Sequence, residues 1–471
     1  MNNIFIKSFI IYGLAASISK FIGVFLVPIY TRVFSPEEYG VLDILIILIA
    51  LFSILGMMQI ESSVQRFYFE FKENKKRDQF LSTAFWLILF TSIFIVLTVS
   101  IFSTELSILF FKDSSYAQYI RILIFIIPLG NLFAFFTVLF RFLKQPMRYL
   151  SIVSIQLIFT VLITVWLVVY KNYGFNGVIY GQIIGFTLPV ILCLFWFKKI
   201  ILISPNHQFI KTIFSYSIPL VPSVASGWVN NYANRFFMIG YLSLADIGIY
   251  SVALKIAAIF SLFDAAFRMT WGPFLWELVT KKNHKLVLKK IPLKLTSLLL
   301  LAVLLIAVWS KEVTLFVSTE NFIEASNYLS YISLAFVLMI ILQTINLGPS
   351  IIKQTKYNFY ISFVSTLISI TLLFLLVPKF ELFGVAMSLV ISNFIRLIIS
   401  YFVSEKLYFI GFPFLKLISV ILLTFASLVI FSIYDFSRIS SYLITAIILL
   451  VMVLHINSFY YNFSKNNVRG K

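Results

Sequence analysis

"IFSYSIPLVPSVASGWVNNYANR", from Ile213 to Arg235, is the stretch that decides how this chain is read. It is long enough for one membrane-crossing helix, yet it carries Pro219, Pro222, Asn230, Asn231 and Asn234, so a hydropathy window alone passes over it. With it the chain has about fourteen spans of the roughly 20 residues that a bilayer requires. Without it there are thirteen, and every later segment changes sides.

Composition fixes the solvent around that stretch. The 471 residues are 61% hydrophobic, 18% aromatic and 12% charged, with mean hydropathy +1.00. A soluble domain carries about 25% charged residues. Too little charge is present here for a water-facing shell, and the chain reads as an all-α integral membrane protein. The apolar segments lie near residues 9–30, 39–60, 80–102, 119–140, 150–170, 175–197, 213–235, 247–268, 293–313, 328–349, 357–378, 381–402, 412–433 and 440–460.

Charge settles the count, because Lys and Arg collect in cytoplasmic loops. With fourteen spans and a cytoplasmic N-terminus, Lys72, Lys75, Lys76 and Arg77 share a side with Lys281, Lys282, Lys285, Lys289 and Lys290. The opposite loops hold about one basic residue each: Arg32, Lys112, Lys171, Arg235, Lys311, Lys379 and Arg438. Dropping 213–235 destroys this asymmetry, so both termini are expected in the cytoplasm. The net charge of +19 then reflects orientation and the anionic inner leaflet, and no nucleic-acid partner is expected.

Several other chemistries lack their residues. The single Cys193 excludes an intramolecular disulfide and reads as a small apolar residue in the sixth span. His207, His284 and His455 lie too far apart for a local metal motif, and neither H-E-x-x-H nor a phosphate-binding glycine loop is present. No metal, cofactor or enzyme activity is expected. The apolar run from Phe9 to Tyr30 reads as a retained helix rather than a cleaved signal. "FLWELVTKKNHKLVLKKI" from Phe274 reads as a basic helix on the inner leaflet, with Phe274, Leu275, Leu278 and Leu286 toward lipid.

The chain repeats itself at an offset of about 208 residues. "FSPEEYGVLDIL" from Phe34 echoes "LSLADIGIYSVAL" from Leu242, aligning Ser35 with Ser243, Glu38 with Asp246 and Gly40 with Gly248. Lys144-Gln145 and Arg148-Tyr149 echo Lys353-Gln354 and Lys356-Tyr357, and "FNGV" at Phe175 echoes "LFGV" at Leu382. The offset spans an even number of helices, so the copies share one orientation, as in transporters with parallel repeats. The expected domains are an N-lobe of six helices over 1–200, a C-lobe of six over 201–405, and two further helices with a cytoplasmic tail over 406–471.

Intramembrane charges point to the cargo. Lys20 lies about eleven residues from either end of the first span, roughly 16 Å from water at 1.5 Å per residue, beyond the reach of a snorkelling lysine. Facing lipid there costs at least about 2.5–3.5 kcal/mol; a hydrated interior, or an ion pair with a carboxylate such as Asp43, avoids that cost. Lys255 in the eighth span is a second cavity candidate, with outward snorkelling as its rival. Asp264 and Arg268 are four residues apart and suited to pair on one helical face, while Asp43 and Asp264 are the candidates for ion coupling. A cationic cavity suits an anion such as a phosphate-linked headgroup. Asn231, Tyr232, Asn234 and Trp228 supply groups for a sugar, with packing as the plainer role of the aromatics. Pro28, Pro219 and Pro222 interrupt the backbone bonding of the first and seventh spans and are candidate hinges.

"SKFIGVFLVPIYTRVFSPEEYG" (Ser19–Gly40) and "SYSIPLVPSVASGWVNNYANRFFMIGYLSLADIGIYSVALKIA" (Ser215–Ala257) resemble the Wzx-type polysaccharide flippases of the multidrug/oligosaccharidyl-lipid/polysaccharide exporter superfamily. The likeness extends over essentially the whole chain. It implies a V-shaped pair of lobes around a cationic cavity, as in multidrug exporters of this fold. It also implies translocation of an undecaprenyl-diphosphate-linked oligosaccharide, such as an O-antigen unit for lipopolysaccharide, across the bacterial plasma (inner) membrane by alternating access. Lys20 and Lys255 match helices that supply cavity cations, and Arg235 matches the arginine of an Asp-Arg-Phe stretch. Here Asn234 replaces that aspartate, which puts a carboxylate role at this point in doubt. The partners implied are the lipid-linked glycan, membrane lipids, and polysaccharide polymerase and chain-length proteins; Na⁺ or H⁺ coupling stays open. Two flippase-fold alternatives compete: a carrier of the peptidoglycan lipid precursor, and a cation-coupled drug exporter, which cavity lysines disfavour. A membrane glycan polymerase or ligase is disfavoured by the short loops.

Overall fold

The computed structural model describes residues 23, 25–354 and 356–433, and the described residues are helical with no strand. The expected first span is described only from residue 23, and Lys20 and the fourteenth span lie outside the described residues. Ten of the described helices are long and apolar enough to cross a membrane. Lys356–Leu407 is two helices that meet at Glu381, where φ is 48°, in keeping with the two spans expected over 357–378 and 381–402. Side chains turned outward are the greasiest: Phe90, Phe94 and Ile101 on the Asn74–Ile101 helix are 69%, 60% and 72% exposed. Water does not tolerate such a stripe, and lipid does. This is a multi-pass membrane protein.

The deciding stretch is broken where its prolines predict. A helix from His207 to Ser217 gives way to a 3₁₀ turn at Ile218–Leu220, which contains Pro219. A second helix then runs from Val221 to Tyr241 with Pro222 in its first turn. Its 21 residues give about 31 Å of length, enough for roughly 30 Å of hydrocarbon. Its polar residues keep it out of the ten apolar candidates. Arg235 is therefore not a loop residue, as its place in the external count assumed; it lies within this helix, 4% exposed. Pro28 likewise falls in the first turn of the Val27–Val33 helix, behind a turn at Leu26.

Two compact units emerge, one ending at Gly248 and the other beginning at Ile249. The core of the first is aromatic: Phe80, Phe135, Phe136 and Phe140 are fully buried, with Phe136 stacked on Phe197 at 5.5 Å. Cys193 is buried in the same cluster. In the second unit, Trp271, Leu275, Leu278 and Leu288 pack with Leu347, Ile410 and Phe412. That packing overturns the expected surface helix from Phe274. The segment is the end of one helix, Ile259–Val279, and the start of the next, His284–Val308, joined by a short turn. Leu275 and Leu278 face the protein because their neighbours Trp271 and Leu288 are buried with them.

The repeat is legible in backbone detail. Ser35 Oγ accepts from the Glu38 N–H at 3.2 Å while Glu38 Oε2 accepts from the Ser35 N–H at 2.9 Å. Ser243 and Asp246 repeat this reciprocal cap at 3.1 and 3.0 Å. Lys144 and Lys353 both end their helices in the left-handed region, with φ of 56° and 60°. The N–H of the following Gln donates to a carbonyl five residues back in each copy: Gln145 to Phe140 at 2.9 Å and Gln354 to Pro349 at 2.8 Å.

The two glycines of the repeat meet. A Cβ on Gly40 would lie 1.9 Å from the Leu244 carbonyl oxygen, and one on Gly248 would lie 1.9 Å from that of Pro36. At the repeat offset Pro36 is the counterpart of Leu244, so the contact is reciprocal. Only residues without a side chain permit backbones this close.

Candidate functional site

In the first unit, Asp43 and Arg235 are brought together. Asp43 sits about two turns into the Pro36–Met57 helix, which the Ser35 cap starts and Gly40 allows to approach its neighbour. Arg235 Nε lies 3.5 Å from Asp43 Oδ2, and the two side chains are 4% and 9% exposed. Arg235 Nη1 also donates to Asn234 Oδ1 at 2.8 Å, and its guanidinium stands 5.9 Å from the centre of the Tyr232 ring.

Trp228 fixes the same pair of helices about two turns earlier along Val221–Tyr241. Its indole N–H donates to the Ile47 carbonyl at 3.3 Å, and its ring contacts those of Tyr232 and Phe236 at 5.8 and 5.3 Å. Asn231 is exposed and Tyr232 is half-buried. The arrangement sets a guanidinium at ion-pair distance from a carboxylate and neutralises it, with no hydrogen bond between Nε and Oδ2. It can also release that guanidinium to a stronger anion, because Arg binds carboxylate and phosphate with the same fork.

The carboxylate nearest Arg235 comes from another helix, while Asn234 beside it offers an amide oxygen. The sequence offers Asp43 as a partner for Lys20; its described partner is Arg235, far away in sequence and adjacent in space. In the second unit, Arg268 Nε donates to Asp264 Oδ2 at 2.8 Å, as the four-residue spacing predicts. Gln343 Nε2 also donates to Asp264, a partner that helical spacing has no means of revealing. Arg396 reaches Ser362 Oγ at 3.1 Å, and Lys255 is half-buried on the helix Leu244–Ala257. Among the described residues no cluster of His, Cys, Asp or Glu is arranged to hold a metal ion.

Carboxyls outside the spans are shifted by their surroundings. Burial pushes Glu61, on the short Ile60–Phe67 helix, above the usual carboxylate range, against the nearby Arg141 that draws it down. The Ser115 N–H and hydroxyl hold Asp113 below that range.

Solved structures define the class. Over 96% of this chain and 99% of the other, the fold matches the inward closed conformation of the lipid II flippase MurJ, with a TM-score of 0.70 and 19% identity. An inward-facing multidrug resistance transporter of the MATE family, in the MOP superfamily, matches over 83% of this chain and 94% of its own at a TM-score of 0.61 and 13% identity. The fold is that of these transporters.

The profile of the polysaccharide biosynthesis proteins matches residues 29–267, more than half of the chain, and the chain belongs to that family. It is similar to the capsular polysaccharide biosynthesis protein CapF of Staphylococcus aureus, at 29% identity over 213 residues. That match covers 42% of this chain and spans about half, 51%, of the relative. A protein of the Lsg locus of Haemophilus influenzae is 22% identical over 75% of this chain and 84% of its own length.

Proposed function

We propose that this protein is a flippase that carries an undecaprenyl-diphosphate-linked oligosaccharide from the cytoplasmic to the outer face of a bacterial plasma membrane by alternating access. The observation that carries the reading is the family match over residues 29–267 on a flippase fold. The buried Asp43–Arg235 pair lies inside the matched region. Arg235, held by Asp43, meets a diphosphate when the pair opens and phosphate oxygens take the place of the carboxylate. Lys20 and Lys255 are the further cations assigned to the cargo, and Tyr232, Asn231 and Asn234 the polar groups beside it. Pro28, Pro219 and Pro222 are the hinges assigned to the first and seventh spans. Both termini are assigned to the cytoplasm from the Lys and Arg count. Asp43 and Asp264 remain the carboxylates to examine for Na⁺ or H⁺ coupling.

The experiment places the full chain in liposomes with a fluorescent undecaprenyl-diphosphate oligosaccharide. Transbilayer movement is followed for the native protein, Lys20→Gln and Arg235→Gln. Movement by the native chain that falls at least tenfold in folded, inserted variants supports the reading. A native chain that moves no such lipid overturns it.

A further inference from the structure

The second unit contains a cavity of about 470 Å³ that the site above does not use. Its volume lies within the roughly 300–1,000 Å³ of small-molecule sites. One wall is the Ala325–Ile345 helix, which presents Ser326 and Ser330 one turn apart. Their side chains belong to residues only 4% and 7% exposed, and neither hydroxyl makes a hydrogen bond among the described residues. A serine inside a helix can return its proton to the carbonyl four residues back, as Ser297, Ser318, Ser365 and Ser388 of the same unit do. Ser333 and Ser400 do not and are enclosed, whereas Ser326 and Ser330 line the cavity. Buried hydroxyls without protein partners require water or a ligand.

The same helix adds an aromatic side to the cavity through Tyr331. The Tyr331 hydroxyl donates to the Leu428 carbonyl at 3.3 Å and to Ser432 Oγ at 3.1 Å. Its ring packs edge-on to Phe383 at 5.3 Å. Lys311, exposed on the Ser310–Val317 helix, adds a cation to the lining. By the Lys and Arg count this end of the unit faces outward.

We infer that this cavity is an acidic-saccharide site, taking one sugar ring of the glycan at the outer face. Ser326 and Ser330 bond its hydroxyls, the Tyr331–Phe383 wall packs on its C–H face, and Lys311 attracts a carboxylate. The sugar as occupant rests on the flippase reading; the cavity and its unbonded hydroxyls do not.

The test is equilibrium dialysis of the full chain in phosphatidylcholine nanodiscs against a radiolabelled glucuronic-acid-containing disaccharide. The native chain should bind one equivalent saturably. Ser326→Val/Ser330→Val, and the milder Ser326→Ala/Ser330→Ala, should weaken binding at least tenfold while retaining the native melting temperature. Lys311→Gln should remove the preference over a neutral disaccharide. Absent saturable binding, or binding unchanged in both double variants, overturns the inference. Displacement by phosphatidylglycerol in the nanodisc makes the occupant a lipid headgroup and overturns it too. A chain that binds the disaccharide here yet moves no lipid-linked glycan sinks the flippase and leaves the site; the reverse outcome removes the site alone.

Discussion

The two copies of the repeat agree at their helix starts and disagree one turn later. Ser35, Glu38 and Gly40 have their equals in Ser243, Asp246 and Gly248, down to the reciprocal cap and the glycine contact. At the same offset, Asp43 faces Ser251 in the alignment, and Arg235 faces Val27. The duplicated part is construction: caps, helix ends and the close approach of backbones. The unduplicated part is a buried ion pair, costly to place in a low-dielectric interior and of little use as mere glue. Duplication explains a scaffold, whereas a charge pair found once marks where the copies took on different work.

The sharpest way to break this comparison is to remove one side of the pair. Arg235→Met leaves Asp43 buried without its guanidinium and is expected to cost about 3–5 kcal/mol of stability. Asp43→Leu combined with Arg235→Met should recover most of that loss while, on the proposed function, lipid movement stays at least tenfold below the native rate. Equilibrium unfolding of the three variants reads the coupling; a double variant that still flips would make the pair structural.

The glycine contact comes next. Gly40→Ala and Gly248→Ala each drive a Cβ into a carbonyl that has no rotamer to escape by, at about 3 kcal/mol, near the upper end for overpacking. Their thermal shifts should be equal, because the contact is reciprocal; a large difference would show that the two copies are not equivalent there. The caps sharpen the same point at a smaller scale. Ser35→Ala and Ser243→Ala should each cost about 1 kcal/mol in the same unfolding experiment.

Glu61 gives the smallest effect. Its place in the second copy is taken by Met269. Its carboxyl is raised above 4.5 in the folded chain, chiefly by burial, so the folded state binds more protons than the unfolded one from that pH upward. Stability therefore falls as pH rises through the interval between the unfolded and folded values. Glu61→Gln should remove that fall in melting curves taken from pH 4 to pH 8. An unchanged pH profile would mean that Glu61 is no less at ease ionised than a surface carboxylate.

Much of the fold was legible because the bilayer imposes it. The apolar lengths, the helix breaks at Pro219 and Pro222 and the Asp264–Arg268 pair all follow from spacing along one helix. The turn between Val279 and His284 is not legible in the same way. A basic amphipathic pattern looks the same whether its leucines meet lipid or, as here, a protein core around Trp271 and Phe412.

By itself the sequence determined an all-helical, multi-pass membrane protein whose helix starts and ends recur at an offset of about 208 residues. The tertiary structure alone decided that Asp43 meets Arg235, that Gly40 and Gly248 bring two helix starts together, and that Ser326 and Ser330 open on a cavity. The reason is physical. Helix formation is enforced within each segment, since backbone groups have no water to bond in the bilayer. Helix pairing is not, because lipid is as apolar as leucine and the choice of partner falls to small residues and a few polar contacts distant in sequence.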